Sequence, residues 1–334
     1  MLNKFMDYAK SFALARVLMT AIELDVFRIL DQEPLSRADL KQRLAIADTP
    51  IADALIDVLL AFDFLAEKDS RLRLLPLGAS VFPVYESIKS WNKEMQLFYD
   101  SLGDLTEILK SGRHQDSVLS DYWAYKKVPE RKNLRLSSVD DYSSVMEASQ
   151  VQLSQVIVEH YDFSVHEHII DFGGGYGGLG IALAQTYTHL RITIADLPAV
   201  CEGANARIDE AGLGERVECV PVDFLSDDLP ITQADAIMFV RVLHDWNDDE
   251  VAGLLGKTHA LLRKPGVALV VEPMTDDTAK PDPGSVLSSL MLPLFGGRRR
   301  SVQQHISLLH SAGYARTDWR DCGLSIYKMV VAHI

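Results

Sequence analysis

Asp171 is followed by five glycines within six positions, in the stretch Asp171-Phe-Gly-Gly-Gly-Tyr-Gly-Gly178. Such a turn lets backbone approach a ligand closely and permits φ > 0. The spacing alone leaves two ligands open. Gly173, Gly175 and Gly178 fit the dinucleotide pattern G-x-G-x-x-G, while Gly173, Gly175 and Gly177 fit the spacing used for S-adenosylmethionine (SAM). The neighbouring acids bear on the choice. A carboxylate at Asp171, just before the turn, would repel a pyrophosphate at the helix N-terminus and suit a cation such as the amino and sulfonium groups of SAM. Asp196 closes the next apolar run, Leu190-Arg-Ile-Thr-Ile-Ala195, where an acid would meet a ribose. This pair favours SAM over NAD. Asp223 and Phe224 follow a third run and would suit an adenine amino group and face, although Phe224 serves equally well as core.

These residues need strands that end at one edge. Strands are expected at 167–172, 190–196, 216–222, 234–240, 266–272 and 325–332, with helices between them that include 198–212 and 248–264. Regular alternation of this kind predicts an α/β, Rossmann-like doubly wound sheet with ligand sites at the carboxyl ends of its strands. The first hundred residues read differently. Tyr8–Leu24 carries apolar residues at helical spacing, Ser36 caps a short helix to Leu44, and Pro50 opens a third helix bearing Leu55, Val58, Leu59, Phe62 and Phe64. Residues 65–75 form a hairpin around a charged turn. Helices followed by a hairpin give a mostly helical, winged-helix-like pattern. Three regions follow: a dimerisation domain at 1–100, a helical connector at 101–165 and a SAM-binding catalytic domain at 166–334. Trp91, Phe98, Tyr99, Tyr122, Trp123 and Tyr125 make the connector aromatic-rich, as interdomain core or as the wall of a substrate pocket.

Composition removes several alternatives. Of 334 residues 48% are hydrophobic, enough for two cores. A formal charge of -14 argues against a nucleic-acid surface. The candidate recognition helix, residues 50–64, holds Asp53, Asp57 and Asp63 and neither Lys nor Arg, so a DNA-binding regulator is disfavoured and helix packing or homodimerisation expected. No apolar run reaches the ~20 residues of a membrane span, and the N-terminus lacks the order of a signal peptide. Cys201, Cys219 and Cys322 are scattered, which suggests buried or free thiols in a reducing cytoplasm. His160, His166 and His168 are expected at the surface.

After the fourth strand the sequence reads Arg241-Val-Leu-His-Asp-Trp-Asn247. With Asp171-Phe-Gly-Gly-Gly-Tyr-Gly, Asp196-Leu-Pro198, Asp223-Phe224, Glu272 and Gly296-Gly297, the chain resembles the plant-type small-molecule O-methyltransferase family over nearly its whole length. The resemblance implies a homodimeric, cytoplasmic SAM-dependent methyltransferase of secondary metabolism acting on a small molecule. It implies that Asp171, Gly173, Gly175, Asp196, Leu197, Asp223, Phe224 and Arg241 surround SAM. His244 would be the general base, steadied by Glu272, with Arg241 beside it. A neutral imidazole with a pKa near 6.5 can accept a phenolic proton.

Two departures from the family pattern suggest different chemistry. Where the family carries a second acid in Gly-Gly-Lys-Glu-Arg-Thr, this chain has Gly296-Gly-Arg-Arg-Arg-Ser301, with Arg299 in the acid's place. Where a Glu precedes Phe or Trp, it has Gln304-His305. His244, Asp245 and His305 would form a two-His-one-carboxylate face for a divalent or ferric ion. A branch of the family with such a face C-methylates α-keto acids. A bound keto acid would enolise at the metal, with Arg298, Arg299, Arg300 or Arg241 holding its carboxylate. Metal-assisted C-methylation is therefore the leading expectation, and O-methylation by His244 alone the second.

Overall fold

The computed structural model describes residues 1–103, 105–111, 125, 131–275, 283–294, 296–324 and 326–334. They form two compact units, Met1–Gln96 and Leu97–Ile334. The segment expected as a separate connector lies inside the second.

The first unit holds α1 (Leu2–Glu23), α2 (Val26–Gln32), α3 (Arg37–Arg43), α4 (Pro50–Ala61), the hairpin β1 (Leu65–Lys68) and β2 (Arg71–Leu74), α5 (Pro76–Ala79) and most of α6 (Tyr85–Leu102). Ser36 caps α3 by accepting the amide of Asp39 at 3.1 Å. Pro50 occupies the first turn of α4, where its missing N–H costs nothing. Leu40, Ile56, Leu59, Leu65 and Leu72 meet in one apolar core. The acids of α4 are used locally: Asp53 pairs with Lys41 at 2.9 Å and Asp57 with Arg37 at 2.8 Å. Leu2, Phe5, Tyr8 and Phe12 of α1 are exposed.

The second unit adds α7 (Leu105–Ser111) and the long α8 (Leu136–His160). Then β3 (His168–Phe172), α9 (Gly178–Thr186), β4 (Arg191–Asp196), α10 (Pro198–Glu210), β5 (Val217–Pro221) and β6 (Ala234–Val240) alternate. They are followed by α11 (Asp248–His259), β7 (Leu262–Pro273), α12 (Pro283–Leu294), α13 (Val302–Ser311), β8 (Arg316–Asp321) and β9 (Tyr327–His333). The seven strands order as β5-β4-β3-β6-β7-β9-β8. Pairing is parallel from β5 to β7, and β9 runs antiparallel between β7 and β8. The order reverses between β3 and β6, and a crevice at that switch point is where such sheets take ligands. β3 is buried throughout, as a strand covered on both faces must be.

Four expectations change. β8 was not foreseen: Arg-Thr-Asp-Trp-Arg-Asp is polar and lies exposed at the sheet edge, where charges protect unpaired backbone. β7 begins at Leu262, in a segment expected to be helical. His166 and His168 are buried rather than superficial. His166 Nδ1 faces Asp235 at 2.8 Å and Nε2 meets the Tyr161 hydroxyl at 2.8 Å. His168 Nε2 lies 2.8 Å from Thr193 Oγ1. Cys201 and Cys219, expected as separate thiols, are joined as a disulfide, and Cys322 is a buried free thiol. Tyr122 and Trp123 lie outside the described residues. Among the described residues no helix is long and apolar enough to cross a membrane.

Candidate active site

The carboxyl ends of β3, β4 and β6 open onto a cavity of 570 Å³. The glycine turn after β3 forms its floor. Gly173 and Gly175 adopt φ of 68° and 59°. A Cβ on Gly173 would lie 2.7 Å from Val242 Cγ2, so this glycine answers to both conformation and space. The Gly173 amide donates to the Ala195 carbonyl at 2.8 Å and the Gly175 amide to Asp196 Oδ2 at 2.9 Å. Asp196 Oδ1 also accepts the Leu197 amide at 2.7 Å.

Gly173, Gly175, Asp196, Leu197, Asp223, Phe224, Arg241 and Asp245 all line the cavity. Asp171 does not. Its carboxylate lies under Gly174, where an added Cβ would stand 2.6 Å from Oδ2. That buried oxygen has no hydrogen-bond partner among the described residues. Burial, and then the charge of Asp196, push the Asp171 carboxyl up to about 7. Burial pushes Asp196 up to about 6 against its two amide donors. Two buried carboxylates beside a glycine turn, one with an oxygen lacking a donor among the described residues, suit a cationic ligand, and the acid-then-glycine floor fits SAM better than a pyrophosphate.

The opposite wall is α8. Val139, Tyr142, Ser143, Met146 and Gln150, spaced by three and four, present one helical stripe to the cavity. Arg241 reaches this wall, donating to Ser149 Oγ at 2.8 Å and contacting Met146 Sδ at 2.7 Å. It takes φ of 60°, a conformation that costs a non-glycine residue about 1–2 kcal/mol. From the segment before α8, Tyr125 donates its hydroxyl to Asp245 Oδ2 at 2.8 Å. Arg131 stands 3.4 Å from Asp223 and 5.0 Å over the Trp246 ring.

Past Arg241 a single 3₁₀ turn, Leu243–Asp245, carries the candidate base. His244 Nδ1 forms a short hydrogen bond with Glu272 Oε2. Glu272, wholly buried in β7, accepts the amides of Val242 and Leu243 on Oε1 at 2.8 and 2.7 Å. Its carboxyl lies below the usual range because the His244 charge and these bonds outweigh burial. Burial alone would lower His244, yet Glu272 and Asp245 together raise it. His244 Nε2 is directed to Asp245 Oδ1, 3.4 Å away. His244 and Glu272 stand outside the cavity lining, and Asp245 connects them to it.

The profile described as an O-methyltransferase domain matches residues 103–315, and that of an O-methyltransferase dimerisation domain matches residues 6–76. The chain belongs to the SAM-dependent O-methyltransferase family. It is a SAM-dependent methyltransferase of small molecules. Among its relatives is the N,N-dimethyltransferase OxyT of Streptomyces rimosus, 29% identical over 310 residues, which span 90% of this chain and 87% of that one. Aclacinomycin 10-hydroxylase RdmB of Streptomyces purpurascens is 34% identical over 188 residues, 55% of this chain and 49% of that one. Human N-acetylserotonin methyltransferase, solved in complex with SAM, shares the fold with a TM-score of 0.78 at 24% identity, over 99% of this chain and 97% of that one.

The methyltransferase does not assemble the expected metal face. Among the described residues no three or more His, Cys, Asp or Glu side chains are grouped so as to hold an ion. His244 gives Nδ1 to Glu272, and Asp245 gives Oδ2 to Tyr125. His305 is enclosed, its imidazole pushed down to about 4 by burial and by the Arg300 and His244 cations. The residues present therefore do not fit a metal. The arginines also separate. Arg298 pairs with Asp248, Arg299 donates to the Met274 carbonyl at 3.0 Å, and Arg300 is buried. Gln304 completes a capping box with Ser301. That box and the one at Asn247 and Glu250 were legible as S-x-x-Q and N-x-x-E. Tyr125, one of the connector aromatics expected in a core or a pocket wall, lines the cavity, whereas Arg131 carried no local signal because its partner lies 92 residues away.

Proposed function

We propose that this methyltransferase methylates a hydroxyl oxygen of a small molecule, with His244 as general base and Glu272 as its orienting acid. The single observation that carries this reading is the His244–Glu272 pair. Nδ1 is committed to a buried carboxylate, which fixes the tautomer and leaves Nε2 to take a proton. SAM, when bound, supplies a methyl group activated by its sulfonium. Asp196 and the glycine turn would hold it over β3 and β4, and Asp171 and Asp196 would offset its positive charge. The stripe on α8 would shape the acceptor space. The first unit would serve homodimerisation through the exposed apolar residues of α1.

The test is methyl transfer from labelled SAM to a panel of phenols, catechols, amines and α-keto acids. Phenol turnover that vanishes in H244Q while SAM still binds supports the reading. Undiminished turnover in H244Q sinks it. Light scattering of the purified protein should give twice the 37.2 kDa chain mass, and a monomer would refute the assignment of α1.

A second reading keeps the α-keto acid as acceptor, methylated at the carbon beside its ketone. His305 favours it: a buried imidazole, coupled to Glu272 and His244, stands where the family pattern has Phe or Trp. Turnover of α-keto acids with phenols left unmethylated, the new methyl group located on carbon by NMR, would select this reading over O-methylation.

A further inference from the structure

The loop that departs most from the family pattern holds a side chain that neither reading uses. Arg300 is 1% exposed, among the most buried large side chains described. Its guanidinium spends every nitrogen on the segment that carries His244. Nη1 donates to the Leu243 carbonyl at 2.8 Å, Nη2 to the Trp246 carbonyl at 2.7 Å, and Nε to Asp248 Oδ1 at 2.8 Å. The two carbonyls flank the His244–Asp245 dipeptide. The neighbouring Arg298 amide also donates to the His244 carbonyl at 2.6 Å.

The backbone of the same residue holds the extension of the strand that carries the other member of the pair. The Thr275 amide donates to the Arg300 carbonyl at 3.2 Å, and the Val302 amide returns to the Thr275 carbonyl at 3.2 Å. Thr275 lies three residues beyond Glu272 on the continuation of β7. One residue thus holds the His244 turn with its side chain and the Glu272 strand with its main chain. A planar fork suits this task, since it meets two carbonyls at fixed separation; a lysine ammonium is a point donor.

We propose that Arg300 is a positioning residue that sets the reach between His244 and Glu272. It does not line the cavity, and its effect on turnover rests on the role proposed above for His244. A buried cation is a costly way to close a loop, and the two carbonyls it grips bracket the base. Asp248 is 45% exposed, so the ion pair is the part of the contact that solvent screens, while the carbonyl bonds are not.

The test compares R300K, R300M and D248N with the parent protein. R300K keeps a cation opposite Asp248, which preserves the fold, but loses the fork. Four quantities are read: melting temperature, SAM affinity by calorimetry, kcat and KM for whichever acceptor the panel identifies, and the downfield imidazole N–H resonance of the His244–Glu272 pair, assigned by its absence in H244Q. Displacement from a distance costs on the order of 100-fold, so R300K should lose about that much kcat with KM and SAM affinity retained. Its downfield resonance should shift or disappear, and D248N should retain both kcat and resonance. R300K with parental kcat and an unmoved resonance overturns the proposal. So does D248N falling as far as R300K, because the ion pair would then be what matters. A lost resonance with undiminished kcat upholds Arg300 as the positioning residue and removes His244 from the chemistry.

Discussion

At the amino end of the sheet, His166 and Asp235 repeat the arrangement of His244 and Glu272 at the carboxyl end. In each pair one carboxylate oxygen faces Nδ1. In each pair the other oxygen accepts two consecutive backbone amides: Glu167 and His168 on Asp235, Val242 and Leu243 on Glu272. The difference lies at Nε2. Tyr161 closes it for His166 at 2.8 Å, and Arg263 adds a third donor to Asp235 at 2.9 Å. His244 Nε2 faces a second carboxylate, Asp245, beside the cavity. Burial holds His166 below the usual imidazole range, whereas two carboxylates hold His244 above it. One device is thus sealed at its outer nitrogen by a hydroxyl at the amino end and turned to a carboxylate beside the cavity at the carboxyl end, the end at which a base is proposed.

The largest effect that would break this comparison is at the open pair. H244Q is expected to lower kcat by about 100- to 10,000-fold with little change in melting temperature, read by steady-state kinetics and calorimetry. Comparable kcat loss in H166Q would erase the distinction. Next in size, D235N should cost about 2–3 kcal/mol of stability by denaturant unfolding, because it breaks a largely buried pair, and should leave kcat intact where the protein is folded.

The pH responses of the two ends should have opposite signs. His166 and His168 titrate below their unfolded value of 6.5, so the stability they contribute is present above 6.5 and is lost as pH falls through their lower folded values. Asp171 and Asp196 titrate at about 7 and about 6 against 3.8 unfolded, so without cofactor their contribution is full below 3.8 and is lost as pH rises through 6 to 7. Over that same range SAM should bind more tightly, since the carboxylates become charged. Melting curves against pH should lose their acid-side fall in H166Q and part of their alkaline-side fall in D171N. Turnover should rise with pH above 6.5, where the raised His244 loses its proton. The smallest effects separate the glycines. G175A meets nothing within 4 Å and should cost about 1–2 kcal/mol of backbone strain. G173A should cost more, because its methyl also strikes Val242.

Much of this was legible because it is local or periodic. The alternation of β3 to β6 with α9 and α10 follows from apolar runs of strand length between helical stretches, and the observed bounds fall within two residues of those expected. The glycine turn and Asp196 sit where their spacing put them. The site resisted reading where partners are distant or chemistry is shared. Nothing in Arg298-Arg-Arg300 says which guanidinium is buried, and only the fold presents two carbonyls to the third. His305 was read as a ligand because imidazole is a common one, yet its surroundings are a core and a cationic neighbour. Asp171 was expected to face the ligand and lies beneath the turn. β8 escaped because an edge strand need not alternate, and His166 and His168 escaped because their buried partners come from other strands.

The stripe of α8 that walls the cavity has a consequence for how acceptor range can drift. The His244–Glu272 pair is anchored to β6, β7 and the Arg300 loop, whereas Val139, Tyr142, Ser143 and Gln150 project from a helix whose backbone satisfies itself. On the proposed function, mutations at Val139, Ser143 or Gln150 would remodel which molecule fits without touching that pair, whereas Tyr142 reaches it through Tyr125 and Asp245. On that reading a lineage carrying this scaffold could explore new acceptors one side chain at a time while keeping the pair that moves the proton.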